Sequence, residues 1–594
     1  MNKVKERLEA LRAEMKKNGV SAYVIPGTDP HASEYIADYW KERVWISGFN
    51  GSAGVVAITM DKAGLWTDSR YFLQGAEQLH GTGIELMKQG LPQTPEIVSW
   101  LASELKAGEK VAVNPQMFSL DTYTTMKTKL DMSRIDLVSI DLIQNIWKDR
   151  PALPKKPFFV FDIKYSGKST IEKLTILRDE MKKNHADVFV MSALDDIAWL
   201  FNIRGNDVSF NPVVIAYALV DMQKATLFID PDKVGEENKK YLDSQNVSYE
   251  PYEDIYKALA QIGEEKSVLV DGAKLNRSLF ETIPMVCPIR NTMSPVFKLK
   301  SIKNEVEIEG IRRAMIKDGV ALTRFFRWLE ENVKTGKVTE ITIEEKLRSF
   351  RSEEENFVGE SFNTIAGYAA HGAIVHYSAT SESNVTLKQE NIVLIDSGAQ
   401  YLDGTTDITR TFPLGTPTIA QKTDYTLVLK GHIAIDQAIF PAGTRGSQID
   451  ILARKPMWNR RLNYGHGTGH GVGHFLNVHE GPQSIRMDEN STTLQPGMIL
   501  SNEPGLYRAE KYGIRIENLV LVVEDKVTEF GQFLKFETLT LFPINQDLID
   551  AEMLSDEEIK WLNSYHSRVY DTLSPGLELE EREWLAAECR PIKK

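Results

Sequence analysis

The chain repeats itself. Residues 11–18 read LRAEMKKN and residues 177–184 read LRDEMKKN, matching at seven of eight positions, and short apolar runs follow both, AYVI at 22–25 and VFVM at 188–191. Each copy continues in the same order, with WISGFNGSAG from Trp45 and WLFNIRGND from Trp199, then LWTD ending at Asp68 and LFID ending at Asp230. Such a duplication predicts two related α/β domains. Each should open with a helix, because Leu8, Leu11 and Met15 recur at helical spacing in the first copy. The linker DRPALPKKP at 149–157 carries three prolines, which cannot continue a helix, and separates a first domain at 1–156 from a second at 157–299.

From residue 300 to 594 the pattern changes. VFKLKSIKN at 296–304 leads into a long amphipathic helix expected from Glu305 to about Asn332, with Ile308, Ile311, Met315, Leu322, Phe325 and Leu329 on its apolar face. Helical segments then alternate with β-type runs, NIVLID at 391–396, GMILSNEP at 497–504 and GIRIENLVLVVED at 513–525. Ser555 and Glu558 form a predicted capping box for a helix in a packing tail that starts at about 546.

Composition limits the partners. The 594 residues carry 70 Lys and Arg against 83 Asp and Glu, a net charge of −13 without a basic block, which argues against nucleic acid or an anionic membrane. The longest apolar stretch, Val213 to Val220, is eight residues, against ~18 or more for a membrane span. The charged N-terminal stretch has no apolar core of a secretory signal. With only Cys287 and Cys589 present, and far apart, a cytoplasmic protein without structural disulfides is expected.

Histidine marks the chemistry. Seven of the 11, namely His371, His376, His432, His466, His470, His474 and His479, fall within 371–479. Any one of them alone reads as an ordinary surface or core residue; together they lie among carboxylates placed where strands end, the ingredients of a metal site. Asp396 closes the apolar run Ile392–Ile395, where a charge without a partner is costly. Asp407 follows eleven residues later. A hairpin with its midpoint between Tyr401 and Leu402 would make the two direct cross-strand neighbours, with Cβ atoms ~4.5–5.5 Å apart; a turn at Asp403-Gly404 would offset them.

HGTGHGVGHF at 466–475 has glycine at every other position from Gly465 to Gly473, which excludes a ligand-bearing helix. Glu503 follows the run Met498-Ile499-Leu500, and in GIRIEN Arg515 and Glu517 point to one face of a strand. Two Asp, two Glu and at least one His make an oxygen-rich set suited to two hard-to-borderline divalent ions. Two such ions suit hydrolysis at the N-terminus of a peptide.

The series DSGAQYLDGTTD, HGTGHGVGHFLNVHEG, NEPG and GIRIEN, in this order and spacing, resembles the pita-bread metallopeptidases, a family that includes methionine aminopeptidase, prolidase, creatinase and aminopeptidase P. WISGFNGSAG, LWTDSRYFL, the repeated second domain and WLNSYH extend the likeness to essentially the whole chain, in the manner of three-domain members. The fold implied is α/β, with two related creatinase-N-type domains followed by a pita-bread catalytic domain and a helical tail. The resemblance implies that Asp407, His470, Glu503 and Glu517 hold one divalent ion and Asp396, Asp407 and Glu517 the other. Manganese is the family's usual metal; zinc and cobalt are the alternatives.

The implied activity is release of the N-terminal residue ahead of a penultimate proline, by a hydroxide bridging the ions, with Glu503 accepting its proton. By the same resemblance His376 and His479 stabilise the tetrahedral intermediate and pass a proton to the proline nitrogen, His466 lines the proline pocket, and Arg515 supports Glu517. A homodimer is implied, with the first two domains serving dimerisation and access. A prolidase-like dipeptidase and a non-catalytic peptide-binding module are the competing readings. His474 stands where relatives are expected to carry a small residue, and reads as an outward-facing loop residue.

Overall fold

A computed structural model describes residues 2–594. The chain separates into two compact units, Met1–Phe297 and Lys298–Lys594.

The first unit holds two six-stranded sheets of one topology. Ala22–Ile25 pairs antiparallel with Val55–Thr59 and parallel with Lys110–Val113, and Val188–Met191 pairs antiparallel with Ala216–Asp221 and parallel with Val268–Val270. AYVI and VFVM are thus the inner strands of their sheets and are buried at every position, as strands covered on both faces must be. The helices ahead of them also correspond: Leu11 and Met15 in Asn2–Lys17 and Leu177 and Met181 in Thr170–Lys183 are all wholly buried. Ser169 and Glu172 cap the second of these reciprocally.

The second unit is built on antiparallel strands backed by long helices. Glu305–Val333 begins at a capping box between Asn304 and Glu307 and buries all six apolar positions its spacing predicts. One sheet runs, in spatial order, Ile439–Pro441, Gly531–Thr538, Asn518–Thr528, Ile499–Asn502, Gly469–Gly471 and Glu480–Ile485. A smaller sheet places Ile392–Ser397 between Ile365–Tyr368 and Ile408–Pro413. The expected single strand over GIRIENLVLVVED is two: Tyr512–Arg515 pairs with Gly505–Arg508 in its own ribbon, and Asn518–Thr528 joins the large sheet. The chain changes partners at Glu517, whose N–H bonds Thr409 O at 3.1 Å. The tail helix Asp556–Leu573 starts at the predicted Ser555–Glu558 box and buries Leu562, Tyr565, Val569 and Leu573. Among the described residues no helix is long and apolar enough to cross a membrane.

Candidate metal centre

Four carboxylates at strand ends and one imidazole in the middle of a short strand come together. Asp396 lies in Ile392–Ser397, where its register partner is Thr409. The hairpin turns at Leu402–Asp403, between the paired Tyr401 and Gly404, so its midpoint lies one residue later than direct pairing requires. Asp407 is therefore two residues from Asp396's partner, a diagonal neighbour on the same face instead of a direct one.

His470 is the middle residue of Gly469–Gly471, and the glycines around it have a packing cause. A Cβ on Gly469 would lie 1.9 Å from Ser501 O and one on Gly471 2.2 Å from Glu480 O, so this strand fits between its neighbours only without side chains there. His470 Nδ1 donates to Gly471 O at 2.9 Å. That fixes the tautomer and leaves Nε2 facing the carboxylates, 3.4 Å from Asp407 Oδ2 and 3.5 Å from Glu503 Oε1. Glu503 accepts from Ser501 Oγ at 3.2 Å, and Glu517 accepts from Thr409 Oγ1 at 2.7 Å. Asp407, His470 and Glu517 each offer a ligand atom, all within 4.8 Å of one another.

The electrostatics call for cations. Burial, with Asp407 adding to it and Arg515 opposing, pushes the Asp396 carboxyl up to about 6. Burial and then the Asp407 and Asp396 charges hold Glu517 well above the ordinary carboxylate range, and burial likewise raises Glu503 against the pull of His470. His470 moves the other way: burial would discharge it, but Asp407 and Glu503 override that and raise it to about 9. Asp396 Oδ1 is buried with no hydrogen-bond partner among the described residues. Four carboxylates, one imidazole aimed at them by its Nε2 and an unsatisfied carboxylate oxygen fit divalent metal ions.

Arg515 sits differently from expectation. Its direct carboxylate partner is Asp396, with Nη2 2.5 Å from Oδ2, and it reaches Glu517 only through Thr409, whose Oγ1 accepts from Arg515 Nε at 3.1 Å. Nη1 donates to Tyr507 Oη at 2.7 Å, and Tyr507 in turn meets His466 Nε2 at 2.7 Å, while His466 Nδ1 bonds Gly467 O. Tyr507, with its phenol pushed up to about 12 mainly by burial, is a neutral relay that sequence reasoning missed; its only signal was a place in the strand after Glu503.

His479 packs edge-on against His470, with centroids 4.4 Å apart. The next residue, Glu480, is buried against Lys300 at 3.0 Å and Lys303 at 2.5 Å. His376 is half-buried in the segment after the turn Ala369–Ala373, and its neighbour Val375 presents a carbonyl 3.5 Å from Arg515 Nη2.

Three more of the seven clustered histidines lie outside this group. His474 is 3% exposed and not outward-facing: it fills space left by Gly310 and Gly404, whose added Cβ atoms would meet its ring at 3.0 and 3.5 Å. His432 is a wholly buried strut to Asn502 O and Asn518 Nδ2, and His371 bonds Glu340.

Residues 309–524 match the metallopeptidase family M24 model, 7–146 and 149–307 each match models of the creatinase/prolidase N-terminal domain, and 532–592 match the C-terminal region of peptidase M24. The chain belongs to metallopeptidase family M24, with two creatinase-type domains ahead of a pita-bread catalytic domain, the architecture expected from its repeat and motifs. Within that family it is 44% identical over 602 residues to the probable Xaa-Pro aminopeptidase P of Laccaria bicolor, covering 99% of this chain and 93% of that protein. It is 41% identical over 633 residues to aminopeptidase P2 of Arabidopsis thaliana, covering 100% of this chain and 89% of that one.

Among solved structures, the X-prolyl aminopeptidase of Caenorhabditis elegans, described as a cytosolic enzyme with a di-nuclear active site, superposes with a TM-score of 0.95. It is 37% identical and covers 99% of this chain and 100% of its own. The Xaa-Pro dipeptidase of Bacillus anthracis covers 64% of this chain at 24% identity and a TM-score of 0.52, a likeness of fold alone.

Proposed function

We propose that this chain is an aminopeptidase that releases the N-terminal residue from peptides with proline in second place. The observation that carries the reading is the complete set of buried Asp396, Asp407 and Glu517 with half-buried His470 and Glu503 in a chain that aligns end to end with X-prolyl aminopeptidases. The dipeptidase likeness, by contrast, leaves about a third of the chain unmatched.

Asp407, His470, Glu503 and Glu517 would hold one divalent ion, and Asp396, Asp407 and Glu517 the second, manganese before zinc or cobalt. Such a pair supplies Lewis acidity for water activation and carbonyl polarisation. The chain's own residues do the rest. Glu503, raised by burial, takes and holds the proton of the attacking water. His479, edge-on to His470, donates to the oxyanion that forms from the scissile carbonyl, and His376 delivers a proton to the departing proline nitrogen. His466, held by Tyr507, walls the proline ring, and Arg515 keeps Asp396 oriented.

The domain limits 1–156, 157–299 and 300–594 belong to the same proposal, as do a cytoplasmic location, a homodimer, and N-terminal domains that narrow access to the site.

Glu503→Gln should lower turnover by about 10²–10⁴-fold with fold and metal content retained. Near-native activity at full metal content sinks the assignment. With manganese restored to stripped protein, Xaa-Pro-Yaa peptides should be cut in preference to Xaa-Ala-Yaa peptides and Xaa-Pro dipeptides. Preference for the dipeptide would favour a prolidase, and no hydrolysis at all a binding module.

A further inference from the structure

The geometry points to Glu340 as a positioning residue for His376, resting on the role given to His376 above. Glu340 is the first residue of the helix Glu340–Ser352, and its side chain is fully buried. It is not one of the five ligands. Oε1 accepts from Tyr368 N–H at 3.0 Å and meets His371 Nδ1 at 2.8 Å. Oε2 accepts from Tyr377 Oη at 2.8 Å and Val385 N–H at 3.3 Å. An ionised carboxylate only accepts, so His371 carries its hydrogen on Nδ1. Four donors and a helix N-terminus compensate a charge that burial would otherwise make costly.

Those donors span one loop. Between the strands ending at Tyr368 and beginning at Ile392, the described chain has only the short turn Ala369–Ala373 as a named element. Backbone pairing holds only its far end, through the antiparallel bridge between Thr339 and Thr386, and Glu340 grips the loop at its start, at His371, at Tyr377 and at Val385. Tyr377 is the residue after His376, and its ring stacks on His371 with centroids 4.5 Å apart.

The loop's opposite side is held too. A Cβ on Gly513 would lie 1.7 Å from Gly372 O, so the loop backbone lies directly on the strand that carries Arg515. His376 is thus carried between a carboxylate clamp and the strand that leads to Glu517. In Glu340→Gln one carboxylate oxygen becomes an amide NH2, which sets a donor against at least one of the four donors. The loop must shift to relieve it.

The test is a double-mutant cycle on the full chain loaded with manganese, with an Xaa-Pro-Yaa peptide as substrate. Glu340→Gln should lower kcat by about 10- to 100-fold, with a smaller change in KM and unchanged metal content. In a His376→Ala background the same substitution should cost less than about 2-fold more, since the residue it acts through is gone. Glu340→Asp, which keeps the charge, should recover part of the rate.

A wild-type rate in Glu340→Gln overturns the inference, as does a loss that carries over in full into His376→Ala. If Glu340→Gln does not fold, Tyr377→Phe takes its place, with a smaller loss and the same non-additivity expected. An activity-independent arm separates this inference from the proposed function. The His376 Hε1 resonance, assigned by its absence in His376→Ala, should move in Glu340→Gln while that of His432 stays. A wild-type chain inactive on every Xaa-Pro-Yaa peptide refutes the function, whereas an unmoved His376 resonance refutes the positioning.

Discussion

Glu480→Gln removes the only charge of its sign from a buried triad. The side chains of Glu480, Lys300 and Lys303 are at most 1% exposed, with ion-pair distances of 3.0 and 2.5 Å. Lys303 Nζ also donates to Lys300 O at 2.9 Å, so the two lysines share one turn of chain and one anion. Removing one partner of a buried pair costs about 3–5 kcal/mol, most of it the price of a charge left alone. Here a single isosteric change takes the shared carboxylate from both lysines, so the loss should reach that range.

For a unit of this size, about 2–4 °C of Tm per kcal/mol gives a fall of roughly 6–20 °C. Calorimetry and urea unfolding followed by tryptophan fluorescence, at matched metal content, measure it. Adding Lys303→Met should recover part of the loss, because the pair is coupled. His479 precedes Glu480 directly and lies edge-on to His470, so turnover per folded molecule should fall as well. A variant within about 1 kcal/mol of wild type, the range of an exposed pair, would refute the reasoning.

Burial first, and then Arg410, push His432 and His566 down to about 3. Their folded values lie below the unfolded one, so the stability they allow is intact above pH ~6.5 and is lost toward pH 3 at about 1.4 kcal/mol per unit for each. Urea midpoints between pH 7 and 5 should show that slope, and His566→Gln should flatten it. Chelation should lower Tm, and manganese returned at about 100 times its Kd should restore about 2.7 kcal/mol, a gain that Asp407→Asn should abolish. Gly513→Ala, whose Cβ would sit 1.7 Å from Gly372 O, should cost at least about 1–3 kcal/mol by overpacking. Unchanged denaturant stability would show that the loop does not press on that strand.

Features written along the chain were readable in it. Leu11 and Met15 announce the same buried stripe as Leu177 and Met181 because a helix face is set by local spacing alone. Asp396 and Glu503 were legible as charges that end apolar strand-like runs, and the resemblance carried by the motifs around them then put them forward as candidate ligands. Thr409, Tyr507, Glu340 and the lysines at 300 and 303 were not, since each matters through a partner that only the fold brings near. His474 was misjudged for the same reason: its local glycines suggest an exposed loop, while the space it fills is made by Gly310 and Gly404.

The split strand at Glu517 shows the limit most clearly. Period-two alternation runs through Ile514, Arg515, Ile516 and Glu517 and breaks at Asn518, where two polar residues stand together, so the chain marks a step there without naming the strand that pairs next. The hydrogen-bond partner changes at that break, from the Gly505–Arg508 ribbon to the Ile499–Asn502 strand. The step nonetheless places Glu517 where Thr409 O receives its N–H and Thr409 Oγ1 reaches its carboxylate. Thr409 is in that place because the turn at Leu402–Asp403 sets it opposite Asp396. The candidate set was therefore legible from local motifs and their resemblance, whereas its geometry follows from one turn and one change of sheet, whose pairing partners no local pattern names.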